Sequence, residues 1–182
     1  NARSLLVENA VEADDELMMR FLDEGENSIT NDELKAALRK RVLAGDFFLV
    51  TGGDGRGVGV EKLLDVMVDC LPSPLDVDEI WGKNPKTGDE VSRKPDDKEP
   101  MSALAFKIAA DPFVGKLIFV RVYSGVLSAG SYVLNTTTGE KERIGRIVRM
   151  HADKREDIDK VAAGDIAAVV GLKNTYTGNT LT

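Results

Sequence analysis

Lys116-Leu117-Ile118-Phe119-Val120-Arg121-Val122-Tyr123, set between Gly115 and Ser124-Gly125, is the stretch on which the fold turns. It reads as a β-strand punctuated at both ends by glycine. Working outward, residues 103–109, 131–134 and 143–150 have the same texture, with Gly130 and Gly139 between them. In Arg143-Ile144-Gly145-Arg146-Ile147-Val148-Arg149-Met150 the apolar positions alternate imperfectly, so the buried face is open. Val161-Ala162-Ala163-Gly164-Asp165 reads as a turn before an apolar strand at 166–170. Several short strands at this spacing predict a small closed β-barrel.

Upstream the texture changes. Residues 72–100 hold Pro72, Pro74, Pro85, Pro95 and Pro100, five of the six prolines, and read as a linker. One hairpin is expected around Asn84-Pro85-Lys86-Thr87-Gly88, with Trp81 anchoring the linker on a neighbour. Further upstream, Leu6, Ala10, Ala13, Leu17 and Phe21 recur at helical spacing up to Gly25. Thr30 and Glu33 form a capping box, flanked by a staple of Ile29 on Leu34. Leu34, Ala37, Leu38 and Val42 continue that helix to Gly45. Residues 47–50 read as a buried strand, followed by the loop 51–57. A third helix carries a buried stripe of Val60, Leu63, Leu64, Met67 and Leu71 and stops at Pro72. Strand, glycine loop and helix form the repeating unit of an α/β sheet.

The fold class expected is therefore α+β and multi-domain: an α/β, largely helical part at 1–71, a linker at 72–100 and a β-barrel at 101–182. The 182 residues suit one domain or two small ones, and 42% apolar with 30% charged residues is an ordinary globular composition. No stretch approaches the roughly 20 apolar residues of a membrane span, and residues 1–16 show no signal-peptide pattern. Cys70 stands alone, which excludes an internal disulfide and favours a reducing, cytoplasmic setting. Residues 1–100 carry 13 Lys and Arg against 23 Asp and Glu, while residues 101–182 carry 11 against 8. An acidic part beside a mildly basic one suggests two modules with different partners.

Two constellations could carry chemistry. The loop Thr51-Gly52-Gly53-Asp54-Gly55-Arg56-Gly57 follows a predicted strand, and glycines let backbone N–H groups approach a phosphate or base. It fits neither nucleotide fingerprint, although Asp54-Gly55-Arg56-Gly57 fits D-x-x-G; a plain connection is the alternative. The second is the basic set Lys141, Arg143, Arg146, Arg149, Lys154 and Arg155, suited to RNA phosphates. Glu140, Glu142, Glu156 and Asp157 are interleaved with it, so a solvated charged face is the alternative. His151 has no motif partner and reads as structural, and Cys70 reads as core. No metal-ligand spacing occurs, and no catalytic residue is assigned.

Several segments resemble elongation factor G in that family's order. They are Asp32-Glu33-Leu34-Lys35-Ala36-Ala37-Leu38-Arg39, Leu71-Pro72-Ser73-Pro74-Leu75-Asp76-Val77, Ala105-Phe106-Lys107-Ile108, Asp111-Pro112-Phe113-Val114-Gly115-Lys116-Leu117, Arg121-Val122-Tyr123-Ser124-Gly125, Lys141-Glu142-Arg143-Ile144-Gly145-Arg146 and 163–172. The resemblance implies that residues 1–71 are the C-terminal part of a GTPase domain, including the end of its insert, and that 101–182 is the second domain of a translational GTPase. It implies a parent protein that uses GTP and Mg2+ and drives translocation. Its barrel would meet small-subunit ribosomal RNA and protein, and its helical insert the ribosomal stalk protein. Thr51, Gly52, Gly53 and Asp54 would be the guanine-side loop, although the family's Ser-Ala is Gly53-Asp54 here. Arg143, Arg146 and Arg149 would be the RNA-binding candidates. The phosphate loop, switch segments and Asn-Lys-x-Asp motif are absent, so the chain alone is expected neither to bind nor to hydrolyse GTP. A standalone RNA- or protein-binding barrel, or a piece of another translational GTPase, is the alternative.

Overall fold

A computed structural model describes residues 2–77, 79–112, 114–152 and 154–182. The chain divides into two units, Asn1–Ser73 and Pro74–Thr182.

The first unit is helical. Helices α1 (Ala2–Val11) and α2 (Asp15–Glu24) replace the single helix that the spacing suggests. The break falls at Asp14, whose extended backbone and side chain cap α2 by accepting from the N–H groups of Glu16 and Leu17. Helix α3 (Asn31–Ala44) begins with the expected capping box. Thr30 Oγ1 accepts from Glu33 N–H, and the Glu33 carboxylate accepts from Thr30 N–H at 2.9 Å. Arg20 binds the same carboxylate, and together these bonds hold Glu33 at a pKa of about 2. Val7, Ala10, Val11, Ile29, Leu34, Ala37, Leu38 and Cys70 form the core.

Two expectations fail downstream. Residues 47–50 pair with no strand among the described residues: Phe47 and Leu49 pack on the helical core, whereas Phe48 is 81% and Val50 95% exposed. A strand buried on both faces needs neighbours on both edges and a layer over each face, and only one face is covered here. Helix α4 (Val60–Cys70) forms where expected, but its stripe is open. Val60, Leu63, Leu64, Met67 and Leu71 are exposed, and Cys70 alone is buried.

The second unit is built from antiparallel strands. β1 (Ile80–Lys83) and β2 (Glu90–Arg93) form the hairpin expected around residues 84–88. Trp81 does not anchor it, being 68% exposed. The remaining strands are β3 (Ser102–Asp111), β4 (Gly115–Ser124), β5 (Leu127–Ser128), β6 (Tyr132–Asn135), β7 (Glu140–Arg143), β8 (Arg146–His151), β9 (Lys154–Ile158), β10 (Lys160–Val161), β11 (Ile166–Val170) and β12 (Thr180–Leu181). Eight of them run in the order β7-β6-β12-β3-β4-β11-β8-β9, while β5 pairs with β10. Phe113, part of the motif at the β3–β4 turn, lies outside the described residues.

The sheet is open in its pairing: the end strands β7 and β9 do not meet. Its two sides are nevertheless joined by one stretch of backbone, residues 140–151. The first half of that stretch pairs with β6, and its second half pairs with β11 and β9. At the junction Ile144 exchanges bonds with Gly130 and Ser131, and Gly145 N–H donates to Val170 O at 3.0 Å. A Cβ on Gly145 would lie 2.6 Å from that same oxygen, so the approach requires glycine. The junction also shifts the side-chain phase. Glu142 and Ile144 point inward before it, Ile147 after it, which is why the sequence alternation looks imperfect.

Alternation along β4 decides which face is the core. Ile118, Val120 and Val122 join Ala105, Val133, Ile144, Ile147, Val169, Leu172 and Leu181 in the main cluster. Leu117 and Phe119 face the other way and pack with Val148, Ala168 and Met150. A polar knot is buried beside the main core. Glu142, only 8% exposed, accepts from Lys173 N–H at 2.5 Å, Asn174 N–H at 2.9 Å and Thr175 Oγ1–H at 2.5 Å. Asn135 Nδ2 donates to Asn179 Oδ1 at 3.0 Å and to Thr175 Oγ1 at 3.3 Å. This knot fastens the segment between β11 and β12. Burial alone would raise the Glu142 pKa. The Thr175 hydroxyl and the N–H groups of Asn174 and Lys173 outweigh that effect and hold the carboxyl below the ordinary range.

Candidate functional site

The loop before α4 folds back on itself. Asp54 Oδ1 accepts from the N–H groups of Arg56 at 2.9 Å and Val58 at 3.0 Å, and Asp54 N–H donates to Val58 O at 2.9 Å. The turn is tight: a Cβ on Gly59, which has φ +85°, would lie 2.5 Å from Gly52 O. Only glycine accommodates both that dihedral and that approach. Of the four residues expected at the guanine side, Asp54 therefore has its N–H and one carboxylate oxygen bound within the loop. Thr51, Gly52 and Gly53 are exposed. No group of three or more His, Cys, Asp or Glu side chains among the described residues is placed to hold a metal ion.

Four of the basic set, Lys141, Arg143, Arg146 and Arg149, lie along the stretch that joins the two sides of the sheet, and Lys154 and Arg155 lie on β9. Arg143 ends β7, exposed, opposite Tyr132. Lys141 lies over the Tyr132 ring, 4.8 Å from its centroid. Arg146 and Arg149 belong to β8. Arg146 lies 3.8 Å from Asp157, and Arg149 Nη2 donates to Asp165 Oδ2 at 3.3 Å. Arg155, on β9, pairs with Asp111 across the turn end of the sheet at 2.5 Å. The three candidate arginines share one stretch of chain but differ in state: Arg143 has no carboxylate within bonding distance among the described residues, while the other two have one each. Both ion pairs are exposed, and exposed pairs contribute about 0–1 kcal/mol, so a phosphate can displace either carboxylate at little cost.

The sequence reading missed a second polar region. A cavity of about 650 Å3 opens between the β1–β2 hairpin and the first residues of β3, and a smaller one of about 180 Å3 adjoins it, sharing Ile80 and Tyr123. The available signal was Trp81, the sole tryptophan, set between charged residues in a proline-rich stretch.

No helix among the described residues is long and apolar enough to cross a membrane. Residues 115–182 match the family described as elongation factor Tu domain 2. The whole chain is also similar to a protein from Thermus thermophilus of known crystal structure. The two superpose with a TM-score of 0.67 and 26% sequence identity over 96% of this chain. This chain spans 23% of that protein's length.

Proposed function

We propose that the chain is an internal piece of a translational GTPase of the elongation factor G type, and that it supplies docking and coupling rather than chemistry. The observation that carries this reading is the order of the match. A sheet of the elongation factor Tu domain 2 kind follows a helical unit, and both lie within the 96% of the chain that aligns with one longer protein. In the parent protein, residues 1–71 close the GTPase domain, 72–100 are its linker and 101–182 are a translation-factor domain whose two sides are joined by the 140–151 stretch. The parent hydrolyses GTP in the cytoplasm, with Mg2+ neutralising charge on the phosphates. This chain's own part is to hold β7 and β8 against ribosomal RNA and protein of the small subunit, and its helices against the stalk protein.

Arg143, Arg146 and Arg149 carry the RNA contact, because their exposed guanidinium groups follow one another along a single stretch of chain and such groups bind phosphate oxygens. Ribosome pelleting of the chain and of its R143E/R146E variant tests this. Charge reversal is expected to weaken binding at least about tenfold at low salt and to flatten its salt dependence. Equal pelleting of both proteins removes these arginines from the interface. The isolated chain is expected to bind no GTP, and a micromolar calorimetric isotherm would overturn that expectation.

A further inference from the structure

We propose that the cleft between the β1–β2 hairpin and β3 binds a nucleotide unit, its base against Trp81 and its phosphate on Arg93, with Arg121 of the adjoining cavity as a second cation. This goes beyond the docking function, which uses the arginines of β7 and β8 and stands without it. The chain carries a net charge of −7, yet among the described residues lining the two adjoining cavities there is no Asp or Glu. The charged groups there are Lys83, Arg93 and Arg121.

Pairing sharpens the contrast. Arg20, Arg41, Arg146, Arg149 and Arg155 each meet a carboxylate. Arg93 is half-buried, yet among the described residues its guanidinium donates only to the neighbouring Ser92 carbonyl, at 2.8 Å. Arg121 is also half-buried. It lies over the Tyr123 ring, 5.2 Å from the centroid, and its Nε–H is buried without a partner. A desolvated guanidinium with open donors is costly. An incoming phosphate relieves that cost, because its oxygens match the guanidinium fork two at a time.

The class of ligand follows from the walls. Trp81 presents an exposed indole on the larger cavity and Tyr123 lies where the two cavities join. An aromatic platform in a cavity whose charged groups are Lys83 and Arg93 suits a base carrying a phosphate, because every base has a face to stack. A volume of about 650 Å3 lies within the usual range for a small-molecule site. The same chemistry is offered by a free mononucleotide and by one unit of a single strand.

Trp81 is the only tryptophan, so its fluorescence reports the site directly. The full chain is titrated at low salt with adenosine 5′-monophosphate, with hexa-adenylate RNA and with inorganic phosphate. Saturable quenching by either adenine ligand is expected, weakened at least about tenfold in R93Q and in R121Q. Saturation by the mononucleotide assigns a free nucleotide, and saturation by the hexamer alone assigns a strand. Circular dichroism checks the fold of each variant, and R93K, which keeps the charge without the fork, replaces R93Q if that variant fails to fold. The proposal is overturned by no saturation with either adenine ligand. It is equally overturned by an unchanged affinity in both variants, or by inorganic phosphate binding as tightly as the nucleotide.

Discussion

Replacing Glu142 with glutamine changes one heavy atom and one charge inside the polar knot. The carboxylate accepts three hydrogen bonds, two from backbone N–H groups and one from the Thr175 hydroxyl. A bond to a charged acceptor contributes about 1.5–3 kcal/mol and a neutral one about 0.5–1.5, so each of the three weakens by roughly 1 kcal/mol. The amide also brings an N–H2 group towards Thr175, whose oxygen already accepts from Asn135. The variant should lose about 2–4 kcal/mol, equivalent to roughly 10–20 °C in the melting temperature of a unit this size. The pH dependence has a definite sign. The folded carboxyl titrates below its unfolded value, so its contribution is fully present above the ordinary carboxylate range and is lost as pH falls through the folded pKa. Scanning calorimetry at pH 7 and at pH 3 should therefore show a wide gap between the two proteins that narrows in acid. A pH 7 difference under about 2 °C, or a gap that persists unchanged in acid, would show that the Glu142 charge does not hold the knot.

Three other outcomes are expected. T30A removes the side-chain half of the α3 capping box and should cost about 1 kcal/mol, lowering the transition of the helical unit while leaving that of the sheet unit in place. G145A sets a methyl group 2.6 Å from Val170 O and should cost about 1–3 kcal/mol, read as a lower melting temperature of the sheet unit; an unchanged melt would show that the junction yields freely. Glu33 is held at a pKa of about 2 by Arg20 first and then by Thr30. Its support of α3 is therefore present above the ordinary carboxylate range and lost on acidification towards pH 2. Far-UV circular dichroism should show helix loss in that window, and E33Q should abolish that component.

Local signals were legible and long-range ones were not. Thr30, Glu33 and Gly45 mark α3 correctly because caps are made by residues three or four positions apart. Asp14 was legible in principle, yet helical spacing ran straight across it, and spacing cannot tell one helix from two that share a face. Residues 47–50 look like a strand by composition, but a strand exists only with a partner. β9 was missed because Lys-Arg-Glu-Asp-Ile has no alternation; its hairpin with β8 holds it in place. The same limit governs the candidate site. Arg146 and Arg149 stood out as cations and Asp157 as an interleaved carboxylate, but Asp165, which meets Arg149, lies 16 residues from it. Glu142 read as one charge on a solvated face and is buried instead, because the donors that permit its burial lie more than 30 residues away.

The strand order sets a schedule for synthesis. β12 stands between β6 and β3: Leu181 is opposite both Asn135 and Ala103, and Leu134 exchanges bonds with Thr182. Until residue 181 has left the ribosome exit tunnel, the β6–β7 hairpin has no partner on its inner edge, and the β3 edge beside it is unpaired. The helical unit, made of local contacts, can form while these strands wait. The nascent chain therefore carries exposed strand edges through the translation of some 40 residues after β7, which is when a chaperone would find them.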